Sequence, residues 1–194
     1  MLDPATFYFF DRTDRLNVDQ GYIFRGIQFL GVASATGIVV TPTCDLHNAE
    51  AKDLSVVVVL PVVPLWVFAW HLARRERGDP WLEIERKIDW AKLSNAGKDR
   101  ICGHLHELIK GNQNGVHYLP PANGLGDSFV PFDNPIGVPI TNFPALEFVA
   151  GLRAPYREYL SARFCSYYLR VGTADFSKED RREIAGSCLG NTDR

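Results

Sequence analysis

The segment from Leu54 to Ala73 constrains this chain more than any other. It runs for twenty residues without a formal charge, and Ser55 and His71 are its only conspicuously polar side chains. That length of apolar chain is enough to cross a bilayer, and Arg74 and Arg75 follow it as a basic flank would. Its internal order points elsewhere. Val56 to Val59 is a β-branched run that suits a buried, pleated surface. Pro61 and Pro64 each remove a backbone donor that lipid cannot replace. The segment therefore reads as a buried strand from Ser55 to Leu60, a corner marked by Pro61, and then a short apolar helix or extended piece carrying Trp66, Phe68 and Trp70. No membrane span is expected.

The rest of the chain fits a globular protein. With 194 residues, 46% of them hydrophobic, it can bury enough apolar surface to fold without disulfides or metal. Its 21 basic and 23 acidic side chains leave a formal charge of −2, which argues against a non-specific nucleic-acid coat but allows a local basic patch. Cys44, Cys102, Cys165 and Cys188 have no tight spacing, so reduced thiols and a cytoplasmic location are expected. Asp3 and the lack of a basic leader before an apolar run argue against a secretory signal.

Periodicity divides the chain into blocks. Phe7 to Phe10 is aromatic and strand-like, and a polar turn follows at Asp11 to Asn17. Tyr22 to Phe29, Gly37 to Thr41 and Ser55 to Leu60 carry β-branched or aromatic residues between Gly, Asn and Asp punctuation, as consecutive strands do. The middle reads as helical. Trp81, Ile84 and Ile88 share one face, and a second helix runs from an N-cap at Ser94 to a stop at Gly111, with Ile101, Leu105, Leu108 and Ile109 as its core stripe. Strand signals return at Val116 to Leu119 and Ser128 to Phe132, joined by the turn from Asn123 to Asp127, and Pro-rich extended chain continues to Ile140. A closing helix starts at Pro155 and stops at Gly172, with Tyr156, Leu160, Phe164, Tyr167 and Val171 as its apolar stripe. Ser177 with Asp180 marks a short tail helix. The expectation is one α+β domain over 1–194: a small antiparallel barrel from strands at about 20–62 and 115–141, a helical insertion at about 65–111, and a closing helix at about 154–172.

The runs Gly21-Tyr-Ile-Phe-Arg25, Gly37-Ile-Val-Val-Thr41 and Val56-Val-Val-Val-Leu-Pro-Val62 together resemble the opening of the PemK/MazF family. The resemblance covers residues 20 to 63. Tyr22 stands where that family usually has an acidic residue, and the helical middle and long closing helix exceed the size of those toxins. It implies an SH3-like barrel and a metal-independent endoribonuclease of a bacterial toxin or defence system. In that family an Arg from the loop after the first strand and a Ser or Thr after the second do the chemistry. Arg25 and Thr41, with Thr43 beside it, sit near the matching positions, Arg25 within its strand. The Arg would stabilise charge on the phosphorane while a base takes the ribose 2′-hydroxyl proton.

Independently of that resemblance, Thr41-Pro-Thr-Cys-Asp-Leu-His47 places reactive groups at a strand end, where a scaffold displays them to solvent. Cys44 as nucleophile with His106 as base, oriented by Asp45 or Asn112, would make a cysteine enzyme. Cys44, His47, Cys102 and His106 would instead make a zinc site, since Cys102 and His106 differ by about 40° on a helix and His104 lies on the opposite flank. The plain alternative makes Cys44 and Cys102 core residues, Asp45 a turn cap, and His47, His104 and His106 surface decoration. The catalytic candidates are thus Arg25, Thr41, Thr43, Cys44, Asp45 and His106, with no cofactor favoured. RNA is the expected partner. A non-catalytic, protein-binding module would use an apolar surface at Trp66, Trp70 and Trp81. Arg153, Arg157, Arg163 and Arg170 cluster at the closing helix, where a phosphate-reading face competes with local pairing to carboxylates such as Glu158. Tyr156, Tyr159, Tyr167 and Tyr168 fall at helical spacing and read as packing.

Overall fold

The computed structural model describes residues 4–11, 18–29, 32–47, 55–77, 90–122 and 124–169. The helix expected around Trp81, Ile84 and Ile88 and the tail helix at Ser177 lie outside those residues. In chain order the elements are α1 (Pro4–Phe7), β1 (Tyr8–Phe9), β2 (Tyr22–Phe29), β3 (Val32–Val39), α2 (Thr43–His47), β4 (Val56–Pro64) and α3 (Leu65–Arg77). Then follow a 3-10 turn at Trp90–Lys92, α4 (Asn95–Ile109), β5 (Val116–Leu119), β6 (Ser128–Pro131), β7 (Ile136–Pro139), a second 3-10 turn at Ile140–Ala145, β8 (Glu147–Leu152) and α5 (Tyr156–Leu169). This is a mixed α/β protein with one antiparallel eight-stranded sheet, ordered β1-β8-β2-β3-β4-β6-β5, with β7 also on β4. Among the described residues the sheet is not closed by strand pairing.

The apolar segment forms the strand where the sheet branches. Along one edge β4 pairs with β3, from Val59 opposite Val39 to Val62 opposite Thr36. Along the other, Val56 to Val59 pair with β7, and Val63 and Pro64 pair with β6. The strand runs through Pro61, where a corner is expected from the sequence, and gives way to α3 only after Pro64. The register explains the difference. Val40 N–H donates to Val58 C=O, so alternate pairs are bonded and Pro61, opposite Gly37, falls in an unbonded pair. Its missing donor faces the gap between the last β7 pair and the first β6 pair, and no ladder bond is lost.

Alternation along β4 feeds two cores. Leu60 and Val62 join Ile23, Ile38, Val130 and Leu160 on one face. Val57 and Val59 join Phe24, Ile27, Val39 and Phe143 on the other. A strand covered on both faces carries apolar residues at every position, which accounts for the unbroken valine run. Gly37 leaves room for side chains of the strands on both sides of β3: a Cβ there would lie 2.6 Å from Val59 Cγ1 and 2.7 Å from Ile27 Cδ1.

The helices follow local chemistry. Ser94 Oγ accepts the Gly97 N–H at 3.1 Å to cap α4, and Gly111 (φ +77) sits just beyond the helix end in the left-handed conformation. Ile101 and Leu108 are buried and Leu105 is half-buried, but Ile109, one helical step round from Leu108, is exposed. In α5, Leu160 is fully buried, and Tyr156, Phe164 and Tyr167 pack on the first core as the stripe predicts. In α3, Phe68 meets Phe129 edge to face, while Trp70 is only 6% exposed under the Arg74 guanidinium. Trp70 is therefore a packing residue and not part of a free partner surface; Trp66 is exposed, and Trp81 lies outside the described residues. Among the described residues no helix is long and apolar enough to cross a membrane.

Candidate functional site

The turn Asp19-Gln20 leads into β2, Thr43 opens α2 at the end of β3, and Arg157 lies in the first turn of α5. Their side chains meet. Thr43 Oγ1 donates to Asp19 Oδ1 at 2.6 Å, and Arg157 Nη1 stands 3.5 Å from Asp19 Oδ2. Gln20 completes the corner: its Oε1 accepts the Thr43 N–H at 3.1 Å, and its Nε2 donates to Ser161 Oγ and to the Arg157 carbonyl. The other edge of the Arg157 guanidinium donates to Glu158 Oε1 at 2.8 and 3.0 Å. These bonds hold the Glu158 carboxyl below the usual carboxylate range. The Asp19 and Arg157 side chains are 19% and 28% exposed, so the corner is partly screened from water yet reachable.

This corner holds a carboxylate, a hydroxyl and a guanidinium within hydrogen-bonding reach. Such a set can take up a proton, orient a reacting group and stabilise an anion. Cys44 is the next residue, exposed, with its Sγ 3.5 Å from Asp45 Oδ1.

The candidates read from the sequence divide accordingly. Thr43 belongs to the corner, with Cys44 and Asp45 beside it on α2. Thr41 is buried, and its Oγ1 accepts the Val58 N–H at 2.7 Å, standing in for a strand carbonyl where the β3–β4 ladder ends. Arg25 lies opposite Thr36, five residues before Thr41 and about 17 Å back along β3. There it pairs with Glu147 Oε1 at 2.8 Å and donates to the Gly124 carbonyl at 3.1 Å. The structure does not bring Arg25 and Thr41 together; the guanidinium near the Thr-Cys-Asp segment is Arg157.

His106 and Cys102 are on α4, both exposed. Cys44, Cys102 and Cys165 are free and exposed, so Cys44 and Cys102 are not core residues, and Cys188 lies outside the described residues. Among the described residues no three or more His, Cys, Asp or Glu side chains are placed to hold a metal ion, so Cys44, Cys102 and His106 do not converge. The His47 side chain is not among those described. Asn112 bonds Glu107 Oε2 at 2.8 Å.

Asp19, Gln20 and Ser161 were not legible as site residues. The available signals were slight: Asp19 and Gln20 precede the Gly21 that opens β2, and Ser161 follows Arg157 by four, one turn along a helix face. No protein-family model matches the chain, and searches of curated proteins and of solved structures return no match.

Proposed function

We propose that the Asp19–Thr43–Arg157 corner cleaves single-stranded RNA in the cytoplasm without a metal, in a protein similar to the PemK/MazF toxins of bacterial toxin and defence systems. The observation that carries this reading is the shared carboxylate: Asp19 joins a hydroxyl from the first residue of α2 and a guanidinium from α5 in one part-buried cluster. In the proposed reaction the Asp19 carboxylate takes the proton of a ribose 2′-hydroxyl, and the 2′-oxygen attacks the adjacent phosphorus. Arg157 stabilises the added negative charge, the bond to the 5′-oxygen breaks, and water protonates that oxygen. The products are a 2′,3′-cyclic phosphate and a 5′-hydroxyl.

The connectivity supports the SH3-like barrel that goes with this reading. In the path β8-β2-β3-β4-β7 the two end members are consecutive in the chain, joined through the 3-10 turn Ile140–Ala145. A flat five-strand sheet would separate its edges by about 19 Å. The turn rises about 12 Å and the three flanking links add at most about 11 Å. Yet the chain must also pass from Pro139, opposite the first residue of β4, to Glu147, opposite the middle of β2, so the flat-sheet path is a diagonal longer than this connection. A curled sheet shortens that path.

The test is incubation of purified protein with mixed-sequence single-stranded RNA in excess EDTA, followed by analysis of the fragment ends. Cyclic phosphate and 5′-hydroxyl ends are expected. Intact RNA, with or without added Mg2+ or Zn2+, would overturn the proposal and favour a binding module using the exposed Trp66. Cleavage that requires zinc or is lost on Cys44 alkylation would favour the Cys44 and His106 alternatives.

A further inference from the structure

A second site lies on the opposite flank of α5. Arg157 and Ser161 face the corner, whereas Tyr159, Ala162, Arg163, Ser166 and Tyr167 line a cavity of about 330 Å3. The cavity is completed by Phe132 and the loop Gly111–Gly115. Two aromatic rings, from Tyr159 and Tyr167, form its walls over the buried Phe132. Its polar lining comes from Asn114, Ser166 and Arg163, with no acidic residue among them.

Arg163 is an unusual cation here. One terminal nitrogen donates to the Gln113 and Val116 carbonyls at 2.6 and 2.8 Å, and the other approaches His117 Nδ1 at 3.5 Å. Its guanidinium carbon lies 5.7 Å from the Tyr159 ring centroid. Among the described residues it has no carboxylate partner. A guanidinium carries five N–H donors, and these contacts use three. His117 behind it is buried, and burial with the adjacent Arg163 lowers its pKa to about 3, so it is neutral and adds no compensating charge. Since Arg163 can only donate, Nδ1 of His117 accepts and its ring proton sits on Nε2. The result is a fixed positive charge at the cavity wall with, among the described residues, no carboxylate to pair with it.

We propose that this cavity binds a small anion carrying a planar aromatic ring, with the ring against Tyr159 and Tyr167 and the anionic group on Arg163. The rings supply stacking surface, and the guanidinium's remaining donors supply a charge-assisted hydrogen bond. The volume is at the small end for ligand sites and fits a mononucleotide-sized molecule, not a polymer. This site is independent of the RNA-cleaving corner and stands or falls without it.

Two sources share that chemistry, nucleoside monophosphates and aromatic carboxylates. The experiment is calorimetric or NMR titration of the full chain with the four nucleoside 5′-monophosphates, indole-3-carboxylate and benzoate. The uncharged nucleosides, indole and inorganic phosphate serve as matched probes. Binding by at least one aromatic anion is expected, weakened roughly tenfold or more when its charge is removed. Ala162→Trp, which fills the cavity from its exposed side, should abolish it, and Arg163→Gln should weaken it as much as removing the ligand's charge does. A nucleotide response assigns the source to nucleotides, and a carboxylate response to metabolites of that class. Equal binding of charged and uncharged probes, binding unaffected by Ala162→Trp, or no saturable binding of any anion at millimolar concentration would overturn the proposal. Because Arg163 also fastens the loop at Gln113 and Val116, Ala162→Trp decides the outcome if Arg163→Gln fails to fold.

Discussion

Thr43 Oγ1 donates a 2.6 Å hydrogen bond to Asp19 Oδ1 across 24 residues of sequence, and the same carboxylate faces Arg157, 138 residues from Asp19. The bond ties the end of β3 to the turn before β2 and holds the carboxylate where α5 presents its guanidinium. Thr43→Val keeps the shape and removes the donor. A lost hydrogen bond to a charged, partly buried group costs about 1–3 kcal/mol, so urea unfolding should show a loss in that range. RNA cleavage should fall as well. Unchanged stability and unchanged cleavage together would show that the bond matters to neither.

Asp19→Asn can keep the Oδ1 acceptor for Thr43 and the Gln20 N–H, gives up the contact with Arg157, and removes the base. General-base removal lowers rates by about 10²–10⁴. Single-turnover cleavage should fall by that factor in variant protein that still melts cooperatively. A full-rate Asp19→Asn enzyme would place the base elsewhere.

Gly37 lies on β3 between the side chains of Ile27 from β2 and Val59 from β4, with room for no Cβ. Gly37→Ala forces Val59 and Ile27, both fully or almost fully buried, to move apart. Overpacking of this kind costs about 1–3 kcal/mol. A denaturant midpoint equal to that of the parent protein would show that Val59 and Ile27 are less tightly packed over Gly37 than described.

Trp70 and Trp66 are four residues apart on α3 and have opposite roles. Trp70→Ala empties a buried position and should cost about 3–5 kcal/mol. Trp66, 40% exposed, should be replaceable by Ala at a cost of about 0.5 kcal/mol or less. Comparable losses at the two sites would mean that both tryptophans are packed.

His117 gives the fold an acid-sensitive element. In the unfolded chain it titrates near its ordinary value of 6.5; in the folded protein burial first, and Arg163 second, lower that to about 3. Between these values the unfolded chain binds more protons. The stability contributed by neutral His117 is therefore complete above pH 6.5 and is lost as the pH falls toward 3. In His117→Gln the thermal midpoint should depend less steeply on pH between 6.5 and 4 than in the parent. Parallel curves would show that His117 does not carry the acid limb.

What the sequence disclosed followed how local each determinant is. The α4 boundaries were legible because Ser94 and Gly111 are short-range signals, and the α5 stripe was legible because Tyr156, Leu160 and Phe164 repeat at helical spacing. Pro61 misled because its tolerance inside β4 depends on two partner strands far along the chain. The difference between Trp66 and Trp70 rests on how α3 packs, which composition does not encode. Arg25 suggested itself because it is close in sequence to the strand-end threonines, yet strand register carries it about 17 Å away, while Arg157 arrives from α5. No period or motif connects Asp19, Thr43 and Arg157, so only the folded chain brings them together.

The sharpest comparison sets Arg157→Ala against Arg25→Ala in single-turnover cleavage of single-stranded RNA in EDTA, with thermal melts confirming that both variants are folded. Removing a guanidinium that stabilises developing charge costs on the order of 100-fold or more in rate. Arg157→Ala should lose at least that much, and Arg25→Ala, whose partners are Glu147 and Gly124, should stay within a few-fold of the parent. Full activity in Arg157→Ala, or loss confined to Arg25→Ala, would contradict a site at the Asp19–Thr43–Arg157 corner.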